Sequence, residues 1–155
     1  MPIIINDGTG WYLEDFEVGR TYRSQARTVT ETDVVNFAGL SGDFNPLHMD
    51  EEYARKESMF GRRIAHGMLG AVIMTGLSNQ MGMFTGTTIA FLELSIQYPA
   101  PLEIGATVHL ELTPTDIRHS SKPGRGVLTM YANLVDEKGT VTTQCVWKLM
   151  MKARD

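Results

Sequence analysis

Cysteine is nearly missing: Cys145 stands alone among 155 residues. It can close no internal disulfide and forms no Cys-x-x-Cys metal pair, which suits a reducing compartment. Positive charge is not in excess. Fourteen Lys and Arg against eighteen Asp and Glu leave a formal net charge of -4, so no nucleic acid partner is expected. The opening Met1-Pro2-Ile3-Ile4-Ile5-Asn6-Asp7 has neither a basic n-region nor a long apolar h-region; no export signal is expected, and the cytoplasm is the expected location. The most apolar stretch, residues 67–84, is interrupted by Thr75, Ser78, Asn79 and Gln80 and weakened by four glycines. It reads as a buried helix and not as a membrane span. No G-x-G-x-x-G or Walker sequence is present, so no redox or nucleotide cofactor is implied. The histidines His48, His66, His109 and His119 show no paired ligand spacing, which gives no metal site.

What is present is enough for one core. With 43% hydrophobic residues and no repeat, linker or low-complexity tract, residues 1–155 read as a single domain with its core over about 20–150. Residues 1–19 read as a surface-hugging arm. Tyr22 to Val29 reads as a strand, and Thr30 with Asp33 three positions on starts a short helix ended by Gly39 and Gly42. Asn45-Pro46 resists helix, because proline pushes the residue before it toward extended geometry, so Ser41 to His48 is expected on a loop. Asp50 caps a second short helix. The long helix begins near Gly67, and its apolar residues occupy nearly every face, the pattern of a helix enclosed by protein. From Thr88 onward four runs carry β-branched and aromatic residues: Thr88–Tyr98, Thr107–Ile117, Gly126–Asp136 and Thr140–Met151. The result is an α+β domain, an antiparallel sheet packed on one central helix.

Asp43 and His48 are the candidates for chemistry. A carboxylate and an imidazole make an acid/base couple near neutral pH, and a bent loop stiffened by Pro46 can aim both at one water molecule. Asn45 can hold the loop or the ring. On the residues alone, Gly-Asp-x-Asn-Pro is also sound turn chemistry, so a purely structural loop stays open.

Ser41-Gly42-Asp43-Phe44-Asn45-Pro46-Leu47-His48, followed by Ile64-Ala65-His66-Gly67-Met68-Leu69, closely resembles the MaoC-like dehydratases, also called R-specific enoyl-CoA hydratases, over about residues 20–150. The resemblance implies a hotdog fold, a curved antiparallel sheet wrapped around a long central helix. It implies that Asp43 and His48 hold the catalytic water, that Asn45 supports them, and that the Gly67 amide is the oxyanion donor. His66 is implied as a supporting residue, and Thr75 stands where some members carry a serine that orients the site. The Gly67 reading has physical sense, since a helix start offers unpaired N–H groups and the positive end of its dipole. Close packing there is the alternative.

The implied activity is hydration of a trans-2-enoyl-CoA or dehydration of a (R)-3-hydroxyacyl-CoA, with coenzyme A as part of the substrate and no separate cofactor. A basic loop carrying Arg118, Lys122 and Arg125 is a candidate for the CoA phosphates, with a merely solvated loop as the alternative. Arg62 and Arg63 are weaker candidates. Met74, Met81 and Met83 suit an adaptable acyl tunnel or plain core filling. The family also implies a homodimer or an assembly of dimers, which would cover an exposed sheet edge. Two other functions remain open: a hotdog thioesterase, and a non-catalytic acyl-CoA-binding subunit.

Overall fold

The computed structural model describes residues 9–154. Its five strands are β1 (Tyr22–Thr28), β2 (Thr88–Gln97), β3 (Thr107–His119), β4 (Arg125–Asp136) and β5 (Val141–Lys152). They form one antiparallel sheet in the order β1-β3-β4-β5-β2. Four helices, α1 (Glu31–Ser41), α2 (Pro46–Met49), α3 (Glu51–Glu57) and α4 (Gly67–Gln80), all fall between β1 and β2 in the chain. The expected α+β layout is therefore the observed one. Among the described residues no helix is long and apolar enough to cross a membrane.

Alternation decides which face of the sheet meets the helix. Leu128, Met130, Ala132 and Leu134 of β4 and Cys145, Trp147, Leu149 and Met151 of β5 are all buried, with more accessible residues between them. From the other side come Leu69, Ile73, Met74 and Leu77 of α4. Burying each such side chain contributes about 1.5–3 kcal/mol. The β4–β5 hairpin is held by Asp136, whose Oδ1 accepts from the amides of Lys138 at 2.9 Å and Thr140 at 2.7 Å. Met74 and Met83 are core residues, in line with core filling.

Several expectations change. Of the arm, residues 1–8 lie outside the described part, and the remainder is not confined to the surface: Leu13 and Phe16 are in the core, and Trp11, Phe16 and Tyr22 meet edge to face. Helix α1 runs past Gly39 and stops at Gly42, whose φ of 77° gives the left-handed cap that releases the chain. Pro46 does not prevent a helix. It stands at the first position of α2, where its missing N–H is no loss, and the Asn45 side chain caps it by accepting from Leu47 N at 3.0 Å. Finally, α4 is not enclosed on every side, because Met68 and Val72 are each 50% exposed and Thr75 and Gly76 lie on the same open flank.

The two sheet edges differ. Strand β1 is seven residues long, carries Arg23 and Arg27, and is bulged between Arg23 and Ala26. Strand β2 is ten residues long, pairs with β5 alone among the described residues, and exposes Ile89, Phe91, Leu92 and Leu94.

Candidate active site

The end of α1 and the whole of α2 form one continuous hydrogen-bonded bend. Ser41 Oγ donates to Phe37 O at 2.7 Å and accepts from Asp43 N at 3.1 Å. Asp43 Oδ1 accepts from Asn45 N at 3.2 Å, and Asn45 then caps α2. Asn45 thus supports the bend through the backbone and not through the His48 ring. Within this bend Asp43 is exposed and His48 is half-buried.

The second motif crosses beneath it. His48 Nδ1 lies 2.8 Å from Ile64 O, and His66 Nε2 lies 2.9 Å from Asp43 O. A carbonyl oxygen only accepts, so each of these nitrogens carries the proton. That assignment leaves His48 Nε2 with a free lone pair, the form a general base requires. His66 is 2% exposed; its ring lies 4.0 Å from that of His48 and 4.9 Å from that of Phe37, and its Nδ1 is buried with no partner. His66 therefore orders the bend from below, as a supporting residue would.

A carboxylate oxygen of Asp43 and ring nitrogens of His48 and His66 all lie within 4.8 Å of one another. Sequence spacing gave no sign of this trio, since His66 is on a separate segment. One nitrogen of each histidine is held by a backbone carbonyl, so at most one per ring is open to a ligand.

Gly67 is the first residue of α4 and shares a pocket with His48. The pocket encloses about 360 Å³ and is walled by Leu47, Phe60, Ile64, Tyr98, Pro101 and Leu102. Neither the Gly67 nor the Met68 amide finds a partner among the described residues, and His66 places no side-chain cap on them. An unpaired helix-start amide on a residue that lines a pocket, as Gly67 does, suits developing negative charge. The Tyr98 ring closes over Gly67: a Cβ there would stand 2.7 Å from Tyr98 Cε1, so a larger residue would have to displace the ring. Burial pushes the Tyr98 phenol above its ordinary value, which keeps it protonated at the pocket wall.

Arg63 is a residue that sequence reading misjudged. It donates to both carboxylate oxygens of Glu31 at 2.8 and 3.0 Å, to Glu51 at 2.8 Å and to the His48 carbonyl at 3.4 Å. Its hydrogen bonds hold the Glu31 carboxyl below its ordinary value. It is a tie between α1, α2 and α3, and has no charge to spare for a phosphate. Arg62 is likewise held by Glu103.

Not every candidate comes together. Thr75 points out on the open flank of α4 and donates to Val72 O at 2.7 Å; eight residues from Gly67, it lies about 12 Å along the helix. Arg118, Lys122 and Arg125 sit at the β3–β4 turn. In β4 the pocket level is marked by Leu134, which pairs with the lining residue Thr143, whereas Arg125 pairs with Lys152 at the other end. Nine residues of strand separate the two levels by about 30 Å.

With this geometry in place, comparison with known proteins is informative. The family model for the MaoC like domain matches residues 15–134. A (R)-specific enoyl-CoA hydratase of Rhodospirillum rubrum is 38% identical over 106 residues, covering 68% of this chain and 71% of that protein. A (R)-specific enoyl-CoA hydratase of Aeromonas caviae is 34% identical over 138 residues, covering 88% of this chain and 97% of that protein. Among solved structures, a Mycobacterium tuberculosis protein described as a double hotdog fold superposes with a TM-score of 0.78 at 18% identity, covering 94% of this chain and 45% of that one. At that identity the likeness concerns the fold alone, and the fold is a hotdog.

Proposed function

The chain belongs to the MaoC-like domain family, and from that premise we propose that it is a hydro-lyase that adds water reversibly to a trans-2-enoyl-CoA, giving the (R)-3-hydroxyacyl-CoA. The observation that carries the reading is that His48, with its Nε2 lone pair free, and Gly67, whose amide has no partner, line one pocket, while a carboxylate oxygen of Asp43 lies within 4.8 Å of the imidazole.

In the hydration direction the thioester oxygen sits at the Gly67 amide, where negative charge gathers as the double bond is polarised. A water held between Asp43 and His48 loses a proton to His48 Nε2 as its oxygen bonds to Cβ. The imidazolium, stabilised by the Asp43 carboxylate, returns that proton to Cα on the same face, and His48 is neutral again. One water is consumed, both new bonds form on one side of the alkene, and coenzyme A is part of the substrate with no other cofactor taking part. His66 and Asn45 keep the bend in register.

The test is kinetic. Asp43→Asn and His48→Ala should each lower kcat on a short enoyl-CoA by about a thousandfold or more, the scale of losing acid/base chemistry, with an unchanged circular dichroism spectrum. Wild-type rates in both variants would sink the assignment. A thioesterase would instead release free thiol, and a binding subunit would hold acyl-CoA without consuming it.

A second copy of the chain is part of the reading. The long apolar edge of β2 suits antiparallel pairing with its own copy. A cytoplasmic setting fits the single thiol of Cys145, which is buried.

A further inference from the structure

The pocket that holds His48 and Gly67 has two walls. One is the segment between α3 and α4, which brings Phe60 and Ile64 to it; the other follows β2, from Tyr98 to Leu102. The walls are joined through the main chain, where the Ala65 amide donates to Leu102 O at 2.8 Å and Ile64 forms a β-bridge with Glu103. Arg62 adds an ion pair to Glu103 over the same junction. A ligand growing toward that junction meets paired backbone, which is costly to open. The second wall is stiff as well, because the rings of Pro99 and Pro101 fix φ. Tyr98, the large ring on that side, packs on Gly67 and donates through its hydroxyl to Met68 Sδ at 3.4 Å. Phe60 is the large ring on the other side. Its turn is pinned by Ser58, whose Oγ donates to Ala54 O at 2.7 Å and accepts from Phe60 N at 3.3 Å, and by Gly61 with φ of 66°. The turn sends Met59 into solvent, 91% exposed, and brings the half-buried Phe60 to the pocket.

The lining says what can lie between these walls. Among the described residues none of those lining the pocket is Asp, Glu, Lys or Arg, and the nearby Arg62 and Arg63 are already paired with Glu103 and with Glu31 and Glu51. A carboxylate at the end of an acyl group would find no cation there and would lose its water. The two amides of a pantetheine arm are poorly served too: the Tyr98 hydroxyl donates to Met68, Thr142 Oγ1 donates to Leu134 O at 3.3 Å, and Thr143 is wholly buried. Hydrocarbon is the chemistry that suits the walls. At about 360 Å³ the space is near the lower end of ligand pockets, which run from about 300 to 1,000 Å³, and part of it is taken by the thioester.

We propose that Phe60 is a specificity-determining residue: its ring stands against the far end of the acyl chain and limits the pocket to short, uncharged enoyl groups. The inference rests on the enoyl-CoA reading above and narrows it to a substrate class.

Rates on crotonyl-CoA and trans-2-octenoyl-CoA test it. Wild type should have a kcat/KM at least about tenfold higher on crotonyl-CoA, and Phe60→Ala should raise the octenoyl-to-crotonyl ratio at least about tenfold, the scale of methylenes gaining or losing a pocket. Phe60→Leu keeps an apolar side chain on the turn and should move the ratio the same way by a smaller factor, so the test does not depend on Phe60→Ala folding. A wild type that prefers octenoyl-CoA overturns the proposal. So does an unchanged ratio in the variants, including equal loss on both thioesters, which would set the ring beside the pantetheine arm they share or make it merely structural. Binding of butyryl-CoA, octanoyl-CoA and succinyl-CoA, none of which can be hydrated, gives a second readout. Succinyl-CoA should bind wild type at least about tenfold more weakly than butyryl-CoA, and equal affinity would overturn the limit to uncharged groups. If the octanoyl-to-butyryl binding ratio rises in the variants while wild type hydrates no enoyl-CoA, the acyl limit stands and the hydratase reading fails.

Discussion

Arg63 reaches more elements than any other side chain around the candidate site. Its guanidinium joins Glu31 at the start of α1, Glu51 at the start of α3, and the carbonyl of His48 itself. Both carboxylates are more than half exposed, so losing the pairs should cost no more than about 1 kcal/mol of stability. Loss of the tie to His48 is the larger matter, because small errors of placement in a base are expensive. Arg63→Ala should therefore lower kcat roughly tenfold with a nearly unchanged Tm, and Arg63→Lys should restore little of it, since an ammonium cannot serve three acceptors in one plane. A large fall in Tm with unaltered kcat per folded molecule would contradict this. At the residue scale, the sequence put forward the groups inside contiguous motifs, and of these the fold brings Asp43, His48 and His66 within 4.8 Å of one another and places Gly67 in a pocket with His48. Arg63 and Tyr98 were not legible, because each makes its contacts with a segment far away in the chain.

Elements show the same division. The strand runs were readable from their β-branched and aromatic residues, the side chains that fit a pleated surface. Helix α2 was not, because the bias of the residue before proline was given more weight than proline's fitness for a first helical turn, and Asn45 satisfies both demands at once. The exposed flank of α4 also escaped notice: Met68 and Val72 look like core residues in the sequence, and only the packing shows that this chain leaves them open. Strand β2 carries a prediction of its own. Leu92→Lys/Leu94→Lys should shift the sedimenting species from a pair to a single chain, as charge on an edge strand opposes further pairing. A pair that persists in the ultracentrifuge would remove β2 as the contact.

Across the whole molecule the two ends of the described chain are fastened to each other. Arg154 grips Asp15 with two hydrogen bonds of 2.7 Å, and its backbone amide donates to Glu14. The hydrogen bond from Arg154 holds the Asp15 carboxyl below its ordinary value. A depressed folded value means the contact adds stability above the unfolded value, near 3.8, and that this stability is lost as pH falls through the folded value. Asp15→Asn should thus lower Tm at neutral pH and leave a smaller Tm decrease between neutral and acidic buffers than wild type shows. Equal acid sensitivity in the two proteins would count against the contact. No local pattern in the sequence announced this fastening, just as none announced that Leu13 and Phe16 belong to the core.

The contrast between the two edges of the sheet has a consequence for how far assembly can go. One edge, β2, is long, apolar and open; the other, β1, is short, basic and bent out of line at its bulge. In the language of polymer chemistry the proposed pairing would make the chain monofunctional: one reactive end, consumed by coupling. If two chains join through β2, as proposed, each outer edge is then a short, bulged β1, and strand-to-strand growth would stop at two.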